Sequence, residues 1–204
     1  MRLLSDNRGQ SLVELIVALF ILVVAITATI VLIVTSINAG RDSRDKLVGT
    51  NLAREALEIV RNIRDSNWTD PASTAWHEGL TDGSTAVPIV DGTSAFSLDF
   101  TVNNFLEINW TRLRETGGKY FQDSAANGNS RYYRMLYISR ICRDGSDDDN
   151  IAVDPANNDA CGVGVHSLYT QEVGLRVIAE VRYPSADSDK KVQLEERLYD
   201  WQVL

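Results

Sequence analysis

The sequence predicts an α+β protein in which one long N-terminal α-helix, first transmembrane and then amphipathic, packs on a C-terminal head of antiparallel β-sheet. Three observations carry this. A wholly apolar run opens the chain, apolar residues then recur at helical spacing from Val48 to Ile63, and strict alternation marks the second half. At 204 residues there is room for one ordinary domain and one appendage. The net charge of −8 repels phosphate backbones, so nothing in the electrostatics supports a nucleic-acid partner.

Leu15 to Val34 reads LIVALFILVVAITATIVLIV, interrupted only by Thr27 and Thr29, and no charged residue lies between Glu14 and Arg41. A helix over roughly residues 15–36, rising about 1.5 Å per residue, crosses a hydrocarbon core of about 30 Å. A cleaved secretory signal has an apolar core of roughly 7 to 15 residues and a small-x-small cut site. This run is longer, and Ile37 before Ala39 makes a poor site, so the span is expected to stay on the protein.

A short leader containing Arg2 and Arg8 ends in Gly9, followed by Gln10, Ser11, Leu12, Val13 and then Glu14, a carboxylate at the start of an apolar helix. A charge at the bilayer centre costs about 2.5–3.5 kcal/mol on insertion scales, so such an acid usually has a partner. Cleavage between Gly9 and Gln10 would supply one, because the new amine is cationic and within one turn of Glu14. Amine and carboxylate can then neutralise one another between neighbouring helices.

Gly9, a short polar step, two apolar residues and Glu14 together resemble the prepilin cleavage and methylation motif of type IV pilins and type II secretion pseudopilins. The resemblance implies a leader of residues 1–9, cut after Gly9 by a prepilin peptidase that also methylates the exposed amine of Gln10. It implies that Glu14 guides each subunit into register with other pilin subunits on an inner-membrane assembly platform. It also implies a single-pass stage in the lipid of the cytoplasmic membrane, then an extracellular or periplasmic filament. Gln10 departs from the Phe usual in major pilins. Basic residues flank the span on both sides (Arg2 and Arg8; Arg41, Arg44 and Lys46), so the positive-inside rule gives no vote and the cytoplasmic leader rests on the resemblance.

The helix is expected to cover residues 10–65. Beyond Gly40, Val48, Leu52, Ala56, Ile59, Val60 and Ile63 form one stripe, interleaved with Arg54, Glu55, Glu58, Arg61 and Arg64. Arg54 with Glu58 and Arg61 with Asp65 are four apart, the spacing of pairs on a solvated face. Gly40 and Gly49 each weaken a helix by about 1 kcal/mol relative to Ala, which predicts bending near the membrane exit. Loop chemistry takes over from Trp68 to Pro71.

The head, residues 66–204, should be mostly strand. Phe96, Leu98, Phe100 and Val102 alternate, as do Tyr133, Met135, Tyr137 and Ile141, and then Val173 through Tyr183. A turn at Pro184 to Asp189 leads to Val192, Leu194 and Leu198, predicting a terminal hairpin. Between strands, Asp144 to Asn150, with Asp154 and Asp159, reads as a solvated acidic loop. Asp147, Asp149 and Asp154 are weak calcium candidates only, since the EF-hand order of ligands and glycine is absent. Cys142 and Cys161 bracket this loop and are expected to form a disulfide outside the cytoplasm. His77 and His166 are isolated and no GxSxG, HExxH or P-loop is present, so neither an enzyme nor a cofactor is expected. Asn67-Trp68-Thr69 and Asn109-Trp110-Thr111 fit a glycosylation pattern. The expected function is a structural filament subunit, its long unrepeated head inclining toward a minor pilin or pseudopilin. The alternative is an unprocessed single-pass protein displaying a β-rich binding head.

Overall fold

The computed structural model of the chain describes residues 12–70, 72–73, 75–81, 83–90, 96–102, 104–105, 108–122, 129–144, 147–153, 161–162, 169–184 and 189–200. They form two compact units, residues 1–44 and 45–204. Helix α1 runs from Leu12 to Thr69 and contributes to both. It continues past the expected end at residue 65, because Thr69 Oγ1 donates back to Ser66 O at 3.0 Å and Asp70 N donates to Ser66 O at 2.9 Å.

The second unit is an antiparallel sheet laid on the amphipathic part of α1. Its strands are β1 (Thr85–Val90), β2 (Phe96–Asp99), β5 (Tyr133–Asp144), β6 (Asp147–Val153), β7 (Gln171–Pro184) and β8 (Asp189–Tyr199). Their order is β2-β1-β5-β7-β8, with β6 on β5. A short helix, α2 (Ile108–Thr111), precedes a separate hairpin of β3 (Arg114–Thr116) and β4 (Lys119–Phe121). The terminal hairpin expected from the sequence is present, with β7 and β8 in register from Gly174↔Tyr199 to Pro184↔Asp189.

Three expectations need correction. Asp147 to Asn150 of the acidic stretch lie on a strand rather than in a loop: β6 pairs with the end of β5 through Ile141↔Val153 and Arg143↔Ile151, since Ile151-Ala152-Val153 is a strand-forming triplet. β2 is shorter than its alternation suggested, because Asp99 Oδ1 accepts from Thr101 N at 2.9 Å and from Thr101 Oγ1 at 2.7 Å, and this Asx turn ends the strand. On β5 the larger core lies on the opposite face from the one read in the sequence. Leu136 and Ile138 join α1's Leu52, Ala53, Ala56 and Val60 and β7's Leu175, Val177, Ala179 and Val181. Met135 belongs instead to a smaller cluster with Val87, Val102 and Phe105, against which Tyr133 and Tyr137 pack.

The helix is seated by close contact and by buried polar groups. Gly49 lies against Tyr183, where a Cβ would stand 3.4 Å from the ring, an ordinary van der Waals contact. Asp45 is only 6% exposed, on the stripe otherwise filled by apolar residues. Its Oδ1 accepts from Tyr132 Oη at 2.9 Å and its Oδ2 lies 3.1 Å from Arg131 Nη1. Burial, then the hydrogen bond to Asp45, pushes the Tyr132 phenol pKa up.

Arg134 is fully buried. Its Nε donates to Gln122 Oε1 at 2.9 Å, and its Nη1 donates to Leu52 O and Glu55 Oε1, each at 3.2 Å. Gln122 Nε2 in turn donates to the carbonyls of Thr111 and Arg134, both at 3.0 Å. Burial lowers the Arg134 pKa while Glu55 raises it. Arg61, expected to pair with Asp65, turns to Glu58 and reaches across to Glu196 of β8, with Nε donating to Oε1 at 2.7 Å.

Two outcomes follow for the full chain unfolded in detergent by urea. Arg134→Ala, which strands the Gln122 and Leu52 oxygens, lowers stability by about 3–5 kcal/mol, whereas Glu55→Ala, whose side chain is 47% exposed, costs under about 1 kcal/mol. Tyr132→Phe costs about 1–2 kcal/mol at pH 7. Because the folded-state phenol pKa is raised, wild-type stability is complete below the unfolded value near 10 and declines above it. The gap between wild type and Tyr132→Phe therefore narrows as pH rises past about 10.

Candidate functional site

In the first unit, α1 is the one element among the described residues. From Leu12 to Ile37 its large apolar side chains are half or more exposed, from 50% at Val17 to 75% at Leu12. The helix is long and apolar enough to cross a membrane, with a mean hydropathy of 3.2 over its most apolar 18-residue window. Its hydroxyls are satisfied internally: Thr27 donates to Val23 O and Val24 O at 3.0 and 2.9 Å, Thr29 to Ala25 O at 2.8 Å, and Thr35 to Leu32 O at 2.9 Å. Such back-bonding lets a threonine sit in hydrocarbon without an orphaned donor.

Glu14 lies in the first turn of α1, exposed, among exposed apolar neighbours. An acid near a helix N-terminus meets the positive end of the helix dipole, and it stands one turn from the Gln10 position. Gly9 and Gln10 themselves lie outside the described residues.

The remaining sequence candidates belong to the head. Cys142 and Cys161 are joined, with Cα atoms 5.7 Å apart, and the bridge closes a separation of 19 residues. On the chain-entropy model that closure stabilises the head by about 3 kcal/mol. Asp147 and Asp149 lie on β6, but their side chains, like Asp154 altogether, are outside the described residues. Among the described residues no three His, Cys, Asp or Glu side chains converge as metal ligands. Asn67, in the first glycosylation pattern, is engaged: its amide donates to Trp76 O at 3.1 Å and to Glu78 O at 2.8 Å, holding the end of α1 to the following turn.

A cleft of about 510 Å³ in the head is lined by Trp68, Ser73, Trp76, His77, Glu172 and Asp200 among others. His77 Nδ1 lies 3.1 Å from Glu172 Oε1, near enough for an ion pair when the imidazole is protonated but out of line for a hydrogen bond. Glu172 also pairs with Arg140. Ser73 Oγ bonds Ala75 O at 3.0 Å and Glu78 Oε2 at 2.9 Å rather than His77.

The sequence reading missed Asp45, Arg131, Tyr132, Gln122 and Arg134 as the residues that fix the helix in the head. Asp45 carried a signal, since it sits four residues before Gly49 and seven before Leu52 on the apolar stripe. Arg134 gave none that alternation could separate from a solvated strand face.

The family model described as the prokaryotic N-terminal methylation motif matches residues 4–30. No curated protein and no solved structure matches the chain. The match spans Gly9, Gln10 and Glu14 and enters the apolar helix, and the motif marks structural subunits rather than catalysts. At residues 4–30, running into one long apolar helix, the chain carries the N-terminal methylation signature found in type IV pilins and pseudopilins.

Proposed function

We propose that this protein is a structural subunit, a minor pilin or pseudopilin, of a type IV pilus or type II secretion-like filament. A prepilin peptidase cuts after Gly9 and methylates the amine of Gln10, leaving residues 10–65 and beyond as the assembly helix and residues 66–204 as the exported head. The observation that carries this reading is the coincidence of the methylation motif at residues 4–30 with an apolar helix whose large side chains are half or more exposed from Leu12 to Ile37 among the described residues. Such a surface is stable only against lipid or against like helices, and a filament core supplies the second once the first is left behind.

In this scheme the subunit waits as a single-pass protein in the cytoplasmic membrane, its head on the far side. The assembly platform then draws it among other pilin subunits. The new amine of one helix and Glu14 of its neighbour neutralise one another in a low-dielectric core, where an unpaired carboxylate is costly and a register that pairs it is favoured. Glu14 is thus a register device rather than an anchor.

Co-expression with and without a prepilin peptidase, followed by mass determination of the membrane-bound product, reads the first step. A product beginning at Gln10 only with the peptidase is the expected result. An intact Met1 terminus in both cases favours the unprocessed single-pass protein with a binding head. Glu14→Ala is expected to insert in the membrane at the wild-type level and to be depleted from sheared filaments by an order of magnitude or more. Normal incorporation of that variant would count against the register mechanism.

A further inference from the structure

Helix α1 enters the second unit at Asp45, and the rim of the head around that entry is basic in a chain whose net charge is −8. Asp45 holds Tyr132 and Arg131 just before β5. Arg131 Nη2 donates to Pro184 O at the end of β7 at 2.9 Å, and Pro184 pairs with Asp189 where β8 begins. The β3–β4 hairpin joins the same rim, with the Tyr120 and Tyr132 rings edge to face and their centroids 5.5 Å apart.

Lys46 on α1, Lys119 on the hairpin, Arg131 and Lys191 are exposed along this rim, and Arg41 and Arg44 are exposed on α1 just before it. Arg131 and Lys191 are held by Asp45 and Glu180. Among the described residues, Arg41, Arg44, Lys46 and Lys119 form no ion pair. The carboxylates of these segments, Asp42, Asp45, Glu115, Asp187 and Asp189, are outnumbered by their Lys and Arg residues. At the other end of β5 the balance reverses: Asp144, with Asp147, Asp148 and Asp149 on β6, outnumbers Arg140 and Arg143.

Ile37 is the last of the exposed large apolar residues before the head. At about 1.5 Å per residue, Arg41, Arg44 and Lys46 stand about 6, 10 and 14 Å farther along α1. Headgroups extend roughly 5–8 Å beyond a hydrocarbon core of about 30 Å. Arg41 thus falls among them, and Arg44 and Lys46 lie within a screening length, about 10 Å at 0.1 M salt, of their outer edge.

We propose that this basic rim is a lipid-facing surface, with Arg41, Arg44, Lys46 and Lys119 engaging the phosphates of anionic phospholipids while the chain is held in the membrane. The proposal rests on the single-pass stage described above and adds to it a lipid preference and a docked position for the head. Cations within a screening length of an anionic leaflet are drawn to it, whereas the acidic end of the sheet is repelled, so the head settles with this rim toward the membrane.

The test uses the full chain with a fluorophore on Thr116→Cys, an exposed position beside the hairpin turn, reconstituted in vesicles that include a lipid with a headgroup-attached quencher. The native cysteines are already bonded to each other. Quenching at least twofold stronger in phosphatidylglycerol-rich vesicles than in phosphatidylcholine alone is expected, and it should be lost in 1 M salt, where screening shortens to about 3 Å, and in the double variant Lys46→Glu, Lys119→Glu. Equal quenching in the two lipids, or a difference that salt and the double variant leave unchanged, overturns the proposal. If the fluorophore disturbs the hairpin, hydrogen exchange of the unlabelled chain decides: severalfold slower exchange at Lys119–Phe121 in phosphatidylglycerol supports the contact, and unchanged exchange overturns it. A wild-type chain that fails to float with either kind of vesicle would instead overturn the membrane-anchored reading itself.

Discussion

The constraint on which the rest depends is that one helix must satisfy two surroundings with a single unbroken hydrogen-bond ladder. From Leu15 to Ile37 it carries no charged residue, and among the described residues its large apolar side chains stay half or more exposed. From Asp45 onward one stripe is buried under a sheet while the other carries Arg54, Glu58 and Arg61. The backbone needs no interruption for this change, because a helix satisfies its own amides in lipid, protein or water alike. All the adaptation falls on side chains, and the threonines of the apolar part follow the same rule by bonding to carbonyls of the preceding turn.

Within the head, the same economy explains why polar groups are buried at the helix–sheet contact. Apolar packing of Leu52, Ala56 and Val60 against β7 supplies most of the driving force but tolerates sliding by a turn. Asp45, held by Tyr132 and Arg131, and the Leu52 carbonyl, held by Arg134, each accept only one register. Buried polar contacts of this kind select an arrangement more than they stabilise it.

Much of this was legible in the sequence, and the failures have physical reasons. The apolar run, the amphipathic stripe and the β7–β8 hairpin were readable because each repeats one period over many residues. The β5 face was misjudged because both of its faces are buried, so alternation carried no sign of which one meets the helix. The β6 strand was missed because its aspartates outweighed Ile151-Ala152-Val153, although pairing with β5 depends on the backbone. Arg134 and Gln122 were invisible because their partners are 12 to 82 residues away and are partly main-chain carbonyls. For the N-terminal site the position was the reverse. Gly9, Gln10 and Glu14 stood out because a carboxylate at the start of an apolar helix calls for a partner, and the methylation-motif match at residues 4–30 spans all three.

Strand β8 closes one end of the sheet, and its exposed positions are Lys191, Gln193, Glu195 and Arg197. Arg176 holds Glu195 at 2.7 Å and brings its carboxyl pKa down to about 2, so this row stays charged under acid as well as neutral conditions. A second strand approaching that edge would have to desolvate the row, and flat edges without such charges are where sheet proteins stick to one another. In the proposed filament, such an edge keeps neighbouring heads from adding strand to strand.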